Sequence, residues 1–337
     1  MEQRAALIAQ GQPADKLLLD QFLAALSAKT GRDAILYATR WTQPLIQGVS
    51  PDLLSITEED LQGMMEVVHG LKEPNLDLIL HSPGGSAAAA EAIVLYLRSK
   101  FKNIRVIVPQ AAMSAATILA CSADEIILGK HSFLGPIDPQ FVLNTPLGQR
   151  AVPADAVREQ FDQAIKECQD PKKATAWFPM LAQYGPDILV QCENASALSK
   201  ELVKNWLKTY MFKNDPKRAS KSNSIARWLA DHQKFKTHSR HISRDELANH
   251  GLRIIPLEKD QEVQDLVLSI FHTVTQIFDS GGTIKLLANK NGKAFVKGVQ
   301  FAGMPMPQIV RPQQPRPATP QPAPPQQHPE PPAQQVA

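Results

Sequence analysis

The stretch from Leu76 to Gln140 constrains this chain most. Leu76, Leu78, Ile79 and Leu80 form a short apolar run that stops abruptly at His81-Ser82-Pro83-Gly84-Gly85. That pattern is a buried strand running into a glycine turn. From Ser86 to Lys100 the residues Ala89, Ala92, Ile93, Tyr96 and Leu97 recur at helical spacing, which predicts a helix. Ile104 to Val108 is a second strand, rich in β-branched residues and ended by Pro109. Gln110-Ala111-Ala112-Met113-Ser114-Ala115-Ala116 then sets one serine among small residues at the mouth of another helix. Strand, helix, strand and helix in this order imply parallel pairing through a right-handed crossover.

This arrangement makes chemical sense if Ser114 is a nucleophile. A serine at a helix N-terminus sits where free N–H groups and the helix dipole favour developing negative charge. Gly84 and Gly85 let main-chain N–H groups point into a cleft, as an oxyanion hole requires. Taken singly, a Pro-Gly-Gly turn or a small-residue helix reads equally well as plain packing.

Together the two halves resemble the ClpP/crotonase-type serine peptidases, among them the Clp peptidase and signal peptide peptidase A. In those families a strand ends in Ser-Pro-Gly-Gly and a later Ala-x-Ser turn supplies the nucleophile. Ser114 follows Gly85 by 29 residues (position 85 to position 114), as in the Clp pattern. Ala123-Asp124-Glu125-Ile126-Ile127 and Gly135-Pro136-Ile137 resemble a stretch of signal peptide peptidase A. The wording Gly-Pro-Ile-Asp-Pro-Gln most resembles the soluble branch named serine dehydrogenase proteinase, although the chain carries no dinucleotide fingerprint. The resemblance implies an α/β fold, a repeated β-β-α superhelix of the ClpP/crotonase kind with a helical C-terminal part. It also implies a serine endopeptidase that acylates Ser114 and holds the oxyanion on N–H groups of Gly84, Gly85 and Ala115, with no cofactor and no metal.

A serine hydroxyl needs a base. In Clp peptidases a histidine lies 25 residues after the serine, and here position 139 is Pro139. The region of the triad acid, just before Arg240, offers His238 and Ser239 but no Asp. His131 falls at a strand edge and reads as structural. A Ser-His-Asp triad of the Clp kind is therefore disfavoured, and a lysine of the signal-peptide-peptidase kind is expected instead. Lys173, opening Lys173-Ala174-Thr175-Ala176-Trp177-Phe178, is the first choice ahead of Lys172 and Lys166. Two other readings stay open: a crotonase-like acyl-CoA enzyme, and a non-catalytic scaffold that binds peptides.

Composition narrows the remaining classes. A net charge of +3 over 337 residues is too small to argue for nucleic acid. Cys121, Cys168 and Cys192 include no CxxC pair, so neither zinc nor a disulfide framework is supported, and a reducing compartment is the default, with a cytoplasmic location expected. No apolar run reaches membrane-span length.

The remaining segments fill in the organisation. Residues 1–33 read as an N-terminal helical segment and residues 34–302 as the peptidase domain, with Ala34 to Trp41 its first strand. A helix capped by Thr57 runs to about Leu71, and further helices cover 153–169, 177–212, 225–229 and 263–278. Ser243 caps another helix that Gly251 ends, and residues 284–299 form a hairpin turning at Asn291-Gly292. Residues 303–337 hold twelve prolines and almost no large apolar side chains, which predicts a disordered tail. The apolar helices are more than one core needs, so a homo-oligomer acting on peptide or protein substrates is expected.

Overall fold

The computed structural model of the chain describes residues 14–299 apart from Leu45, Pro146, Leu147 and Gln183. In chain order, α1 (Ala14–Thr30) leads to β1 (Asp33–Thr39) and α2 (Glu59–Val68) to β2 (Asn75–His81). After α3 (Ala87–Lys100) come β3 (Asn103–Val108), the two-residue β4 (Ala111–Ala112) and α4 (Ala115–Ala120). β5 (Glu125–Leu128), the two-residue β6 (Phe133–Leu134) and a hairpin of β7 (Gln140–Thr145) and β8 (Gly148–Pro153) follow. A helical stretch then comprises α5 (Ala154–Glu167), α6 (Pro171–Leu181), α7 (Ile188–Trp206), α8 (Arg218–Leu229) and α9 (His232–Phe235). The described part closes with β9 (Ile242–Ser243), α10 (Arg244–Asn249), β10 (Ile254–Pro256), α11 (Gln261–Ser280) and a hairpin of β11 (Thr283–Asn289) and β12 (Ala294–Gly298).

Seven strands form one sheet in the order β10-β5-β3-β2-β1-β11-β12. The run from β10 to β1 is parallel, and β11 and β12 complete it antiparallel. β4, β6 and β9 make a second, small sheet. Long strands of the first sheet thus alternate with short strands of the second, β3 with β4 and β5 with β6, which is the expected β-β-α repeat.

Strand periodicity divides the interior into two cores. Ile35 and Tyr37 of β1, with Leu76, Leu78 and Leu80 of β2, point to the face covered by α2, α3, α4, α7 and α8. Ala34, Leu36, Ala38 and Ile79 point to the opposite face, where α1 and α11 lie with Leu19, Leu23, Leu26, Val267 and Ile270. Burial on both faces explains why these strands read as continuous apolar runs rather than alternating ones.

Several expectations meet corrections. The helix placed from Thr57 begins at Glu59, and Thr57 does not cap it. Instead the buried Asp60 carboxylate accepts the Thr57 N–H at 2.8 Å, the Tyr37 hydroxyl at 2.8 Å and both Lys285 Nζ contacts at 2.7 and 2.8 Å. The single helix expected over 177–212 is two, α6 and α7, because Gly185-Pro186 interrupts it, and α7 ends in a π-helical turn at Leu207–Met211. The β7–β8 hairpin lies outside the expected elements; Phe141, Leu143 and Val152 on one of its faces pack against a small separate cluster of Ala154, Val157, Ile188 and Cys192. The C-terminal hairpin stands as expected, with Gly292 at φ +79° in its turn. The Pro-rich tail lies outside the described residues. Among those described, no helix is long and apolar enough to cross a membrane.

Candidate active site

β2 and β3 are parallel neighbours, so the turns at their C-terminal ends meet. Ser82 N–H donates to the Ala111 carbonyl at 3.2 Å, and Met113 N–H returns a bond to the Ser82 carbonyl at 3.0 Å. On its other side the glycine turn is fastened to Ile56. Ile56 N–H donates to Gly84 at 2.6 Å and Ser86 N–H donates to Ile56 at 2.9 Å. Ser86 then caps α3, its hydroxyl accepting Ala89 N–H at 3.1 Å. These bonds bring the two halves of the sequence motif into van der Waals contact.

Gly84 touches the serine turn itself. A Cβ there would stand 2.5 Å from the Met113 carbonyl oxygen, 2.6 Å from Ser114 Cβ and 2.8 Å from the Ala115 nitrogen. Gly84 also has φ +98°, a conformation that L side chains rarely adopt. At Gly85 a Cβ would meet the Ile56 nitrogen at 2.4 Å. Only glycine fits either place.

Ser114 is at φ 51°, ψ −121°, in the N-cap position of α4. A non-glycine residue there carries strain of about 1–3 kcal/mol, which persists only where its surroundings fix it. The same strained strand-to-helix turn is how a nucleophile elbow presents a serine. Its neighbours Ala112, Ala115 and Ala116 are buried, whereas Ser114 is half-buried. The serine caps no helix N–H and makes no side-chain hydrogen bond to any described residue. Its hydroxyl is free for chemistry.

The expected oxyanion donors divide into two kinds. Gly84 N–H donates to Ser82 Oγ at 3.2 Å, so its hydrogen is committed. Gly85 N–H and Ala115 N–H donate to no described acceptor. Two main-chain donors beside a free serine hydroxyl are the parts that stabilise a tetrahedral acyl-transfer intermediate.

The lysines fall elsewhere. Lys166 on α5 and Lys172 and Lys173 on α6 are exposed, and none hydrogen-bonds Ser114. Lys173 lies near Glu167, whose carboxyl is pulled below its usual range mainly by hydrogen bonds from Gln163 and Trp177. The one fully buried lysine among the described residues is Lys285. Its Nζ is consumed by Asp60 and by the Ser55 carbonyl at 2.7 Å, and burial pulls its pKa down. His131 is exposed, near Gly129.

One cluster escaped the sequence reading. The Asp138 carboxylate is buried and accepts from His238 Nδ1 at 2.8 Å, His232 Nδ1 at 3.2 Å and Gln140 Nε2 at 3.1 Å. The signal lay in plain view, as the Asp of Gly-Pro-Ile-Asp-Pro-Gln and the histidine just before Arg240, but only the fold shows that they meet.

Comparison with known proteins adds to this geometry. Residues 54–271 match the model of a family described as ClpP-like SDH-type serine proteinase. The chain is 30% identical over 233 residues to an uncharacterized protein of Methanocaldococcus jannaschii, covering 69% of this chain and 70% of the relative. A second uncharacterized protein of that organism is 42% identical over 86 residues, which span 25% of this chain and 30% of the relative. Among solved structures, a variant of the 1510-N membrane-bound stomatin-specific protease aligns at 12% identity and a TM-score of 0.36, over 71% of this chain and 86% of that one.

Proposed function

Because the chain belongs to the ClpP-like SDH-type serine proteinase family, we propose that it cleaves peptide bonds through an acyl-enzyme on Ser114. The observation that carries this reading is the contact of the two turns. It puts a strained, unbonded serine hydroxyl beside the uncommitted N–H groups of Gly85 and Ala115. Ser114 Oγ attacks the substrate carbonyl, the oxyanion settles between the two N–H groups, the amine leaves, and water hydrolyses the ester. Gly84 serves as the wall that lets the turns approach. Nothing in the site supports a Ser/Lys form with Lys166, Lys172 or Lys173 as base, since all three are exposed and unbonded to Ser114.

The test is digestion of an unfolded protein, followed by mass spectrometry of the products. The wild-type chain is expected to yield defined fragments, and Ser114→Ala none. The variant should melt at or slightly above the wild-type temperature, because removing the hydroxyl breaks no side-chain hydrogen bond. Cleavage that persists in Ser114→Ala would sink this reading. Binding of coenzyme A with no cleavage by the wild type would favour the acyl-CoA alternative.

A further inference from the structure

We propose that the cleft between α7 and α8 binds the phosphate monoester of a small hydroxylated compound, of the sugar phosphate or polyol phosphate kind; the inference does not rest on the peptidase reading. α7 and α8 pack side by side. At helical spacing α7 presents two opposite stripes. Leu202, Val203 and Trp206 enter the core that also holds Ile118 and Leu119 of α4. Ala197, Lys200, Glu201 and Lys204 recur at i, i+3, i+4 and i+7 on the other side. α8 answers with Asn223, Ala226 and Arg227, again at i, i+3 and i+4. Together these side chains line a cavity of about 360 Å³. The two alanines leave the room for it, and Ala226, 1% exposed, lies at its floor. Its size falls in the range of small-molecule sites, about 300–1,000 Å³.

The charge in the cleft is unbalanced. Lys200, Lys204 and Arg227 bring three positive charges against the one negative charge of Glu201, a net of +2. None of these four side chains makes a hydrogen bond or ion pair with a described residue. Elsewhere the chain pairs its half-buried cations: Arg32 and Arg105 hold Asp77, Arg98 holds Asp124, and Arg244 holds Glu258. Lys200 and Lys204 are half-buried as well, and they lack any such partner. Like charges at i, i+4 repel, and the facing arginine adds to the repulsion. An anion held between the helices relieves it.

The lining also selects the kind of anion. A phosphate monoester carries about −1.5 to −2 charge at neutral pH and three acceptor oxygens, which matches three cations with a net of +2. Arg227 offers a planar fork to two of those oxygens, while Lys200 and Lys204 act as point charges from the opposite wall. The Asn223 amide adds a neutral donor. Glu201 accounts for the rest of the molecule. Its carboxylate only accepts, so it takes a hydroxyl O–H of the ligand and repels a second phosphate. No aromatic side chain lines the cleft, so nothing there stacks on a nucleotide base. A compact hydroxylated monoester fits these walls, and a nucleotide or an inorganic polyphosphate does not.

The experiment is isothermal titration of the full chain, at fixed ionic strength, with glucose 6-phosphate, glycerol 3-phosphate, inorganic phosphate and glucose. At least one ester should bind about tenfold more tightly than inorganic phosphate, and glucose should not bind. Arg227→Gln and Lys204→Gln should each weaken ester binding about tenfold or more, the loss of one charge-assisted hydrogen bond. Both variants should melt at the wild-type temperature, because these side chains hold no partner in the free protein. Glu201→Ala should tighten inorganic phosphate and erase the preference for the ester. No binding of either ester at millimolar concentration, or ester binding untouched by Arg227→Gln and Lys204→Gln, overturns the site. Inorganic phosphate bound as tightly as both esters by the wild type overturns the ligand class.

Discussion

Gly84→Ala is expected to abolish fluorophosphonate labelling and peptide cleavage while Ser114 itself is untouched. The added methyl would stand 2.5 Å from the Met113 carbonyl oxygen and 2.8 Å from the Ala115 nitrogen. Both are backbone atoms at the base of α4, so no side chain can swing aside to make room. The φ of +98° adds backbone strain independently of the space. The glycine turn must therefore move off the serine turn, which takes Gly85 N–H away from Ala115 N–H. Losing a single oxyanion donor costs about 10²–10³-fold in rate, and displacing one turn against the other also misaligns the serine. Labelling rate and melting temperature, measured on the same sample, check the prediction. A folded Gly84→Ala chain that labels at the wild-type rate would show that the turns need not touch.

The second large effect is on stability and lies away from the site. Asp60→Ala leaves the Lys285 ammonium buried with the Ser55 carbonyl as its remaining partner, and strips the Tyr37 hydroxyl and Thr57 N–H of their acceptor. Both Asp60 and Lys285 side chains are fully buried. Removing one member of such a pair costs about 3–5 kcal/mol, because the other charge stays desolvated and unpaired. Against the usual total of about 5–15 kcal/mol, this is a large share. Urea unfolding should show the loss in Asp60→Ala and in Lys285→Ala. The double variant Asp60→Leu with Lys285→Met should recover most of it, since an apolar replacement of the whole pair is often neutral. A double variant as unstable as the sum of the singles would place the stabilisation in separate contacts rather than in the pair.

What could be read in the sequence follows from the range of the interactions. The strand ending at His81, the turn at Gly84 and Gly85, the helix from Ser86 and the serine before α4 are set within a few residues by glycine freedom and apolar spacing. All of them were legible. Gly84 was legible as a site residue but not in its role, because the Ser82 hydroxyl that takes its N–H could be placed only by the fold. Asp60 stands in the first turn of α2, and its partner Lys285 is 225 residues away on β11, beyond the reach of local pattern. Asp138 and His238 are 100 residues apart. They are joined through two-residue strands too short to show any periodicity, so their register could not be read from local pattern. The break between α6 and α7, by contrast, was available in Gly185-Pro186.

Covalent labelling reads directly whether Ser114 Oγ is the reacting atom. The full chain is incubated with a fluorophosphonate, digested with trypsin and mapped by tandem mass spectrometry. A single phosphonyl adduct is expected on Ser114, absent from Ser114→Ala and blocked by prior heat denaturation. An adduct on any other serine, or equal labelling of the Ser114→Ala chain, would show that Ser114 is not the nucleophile.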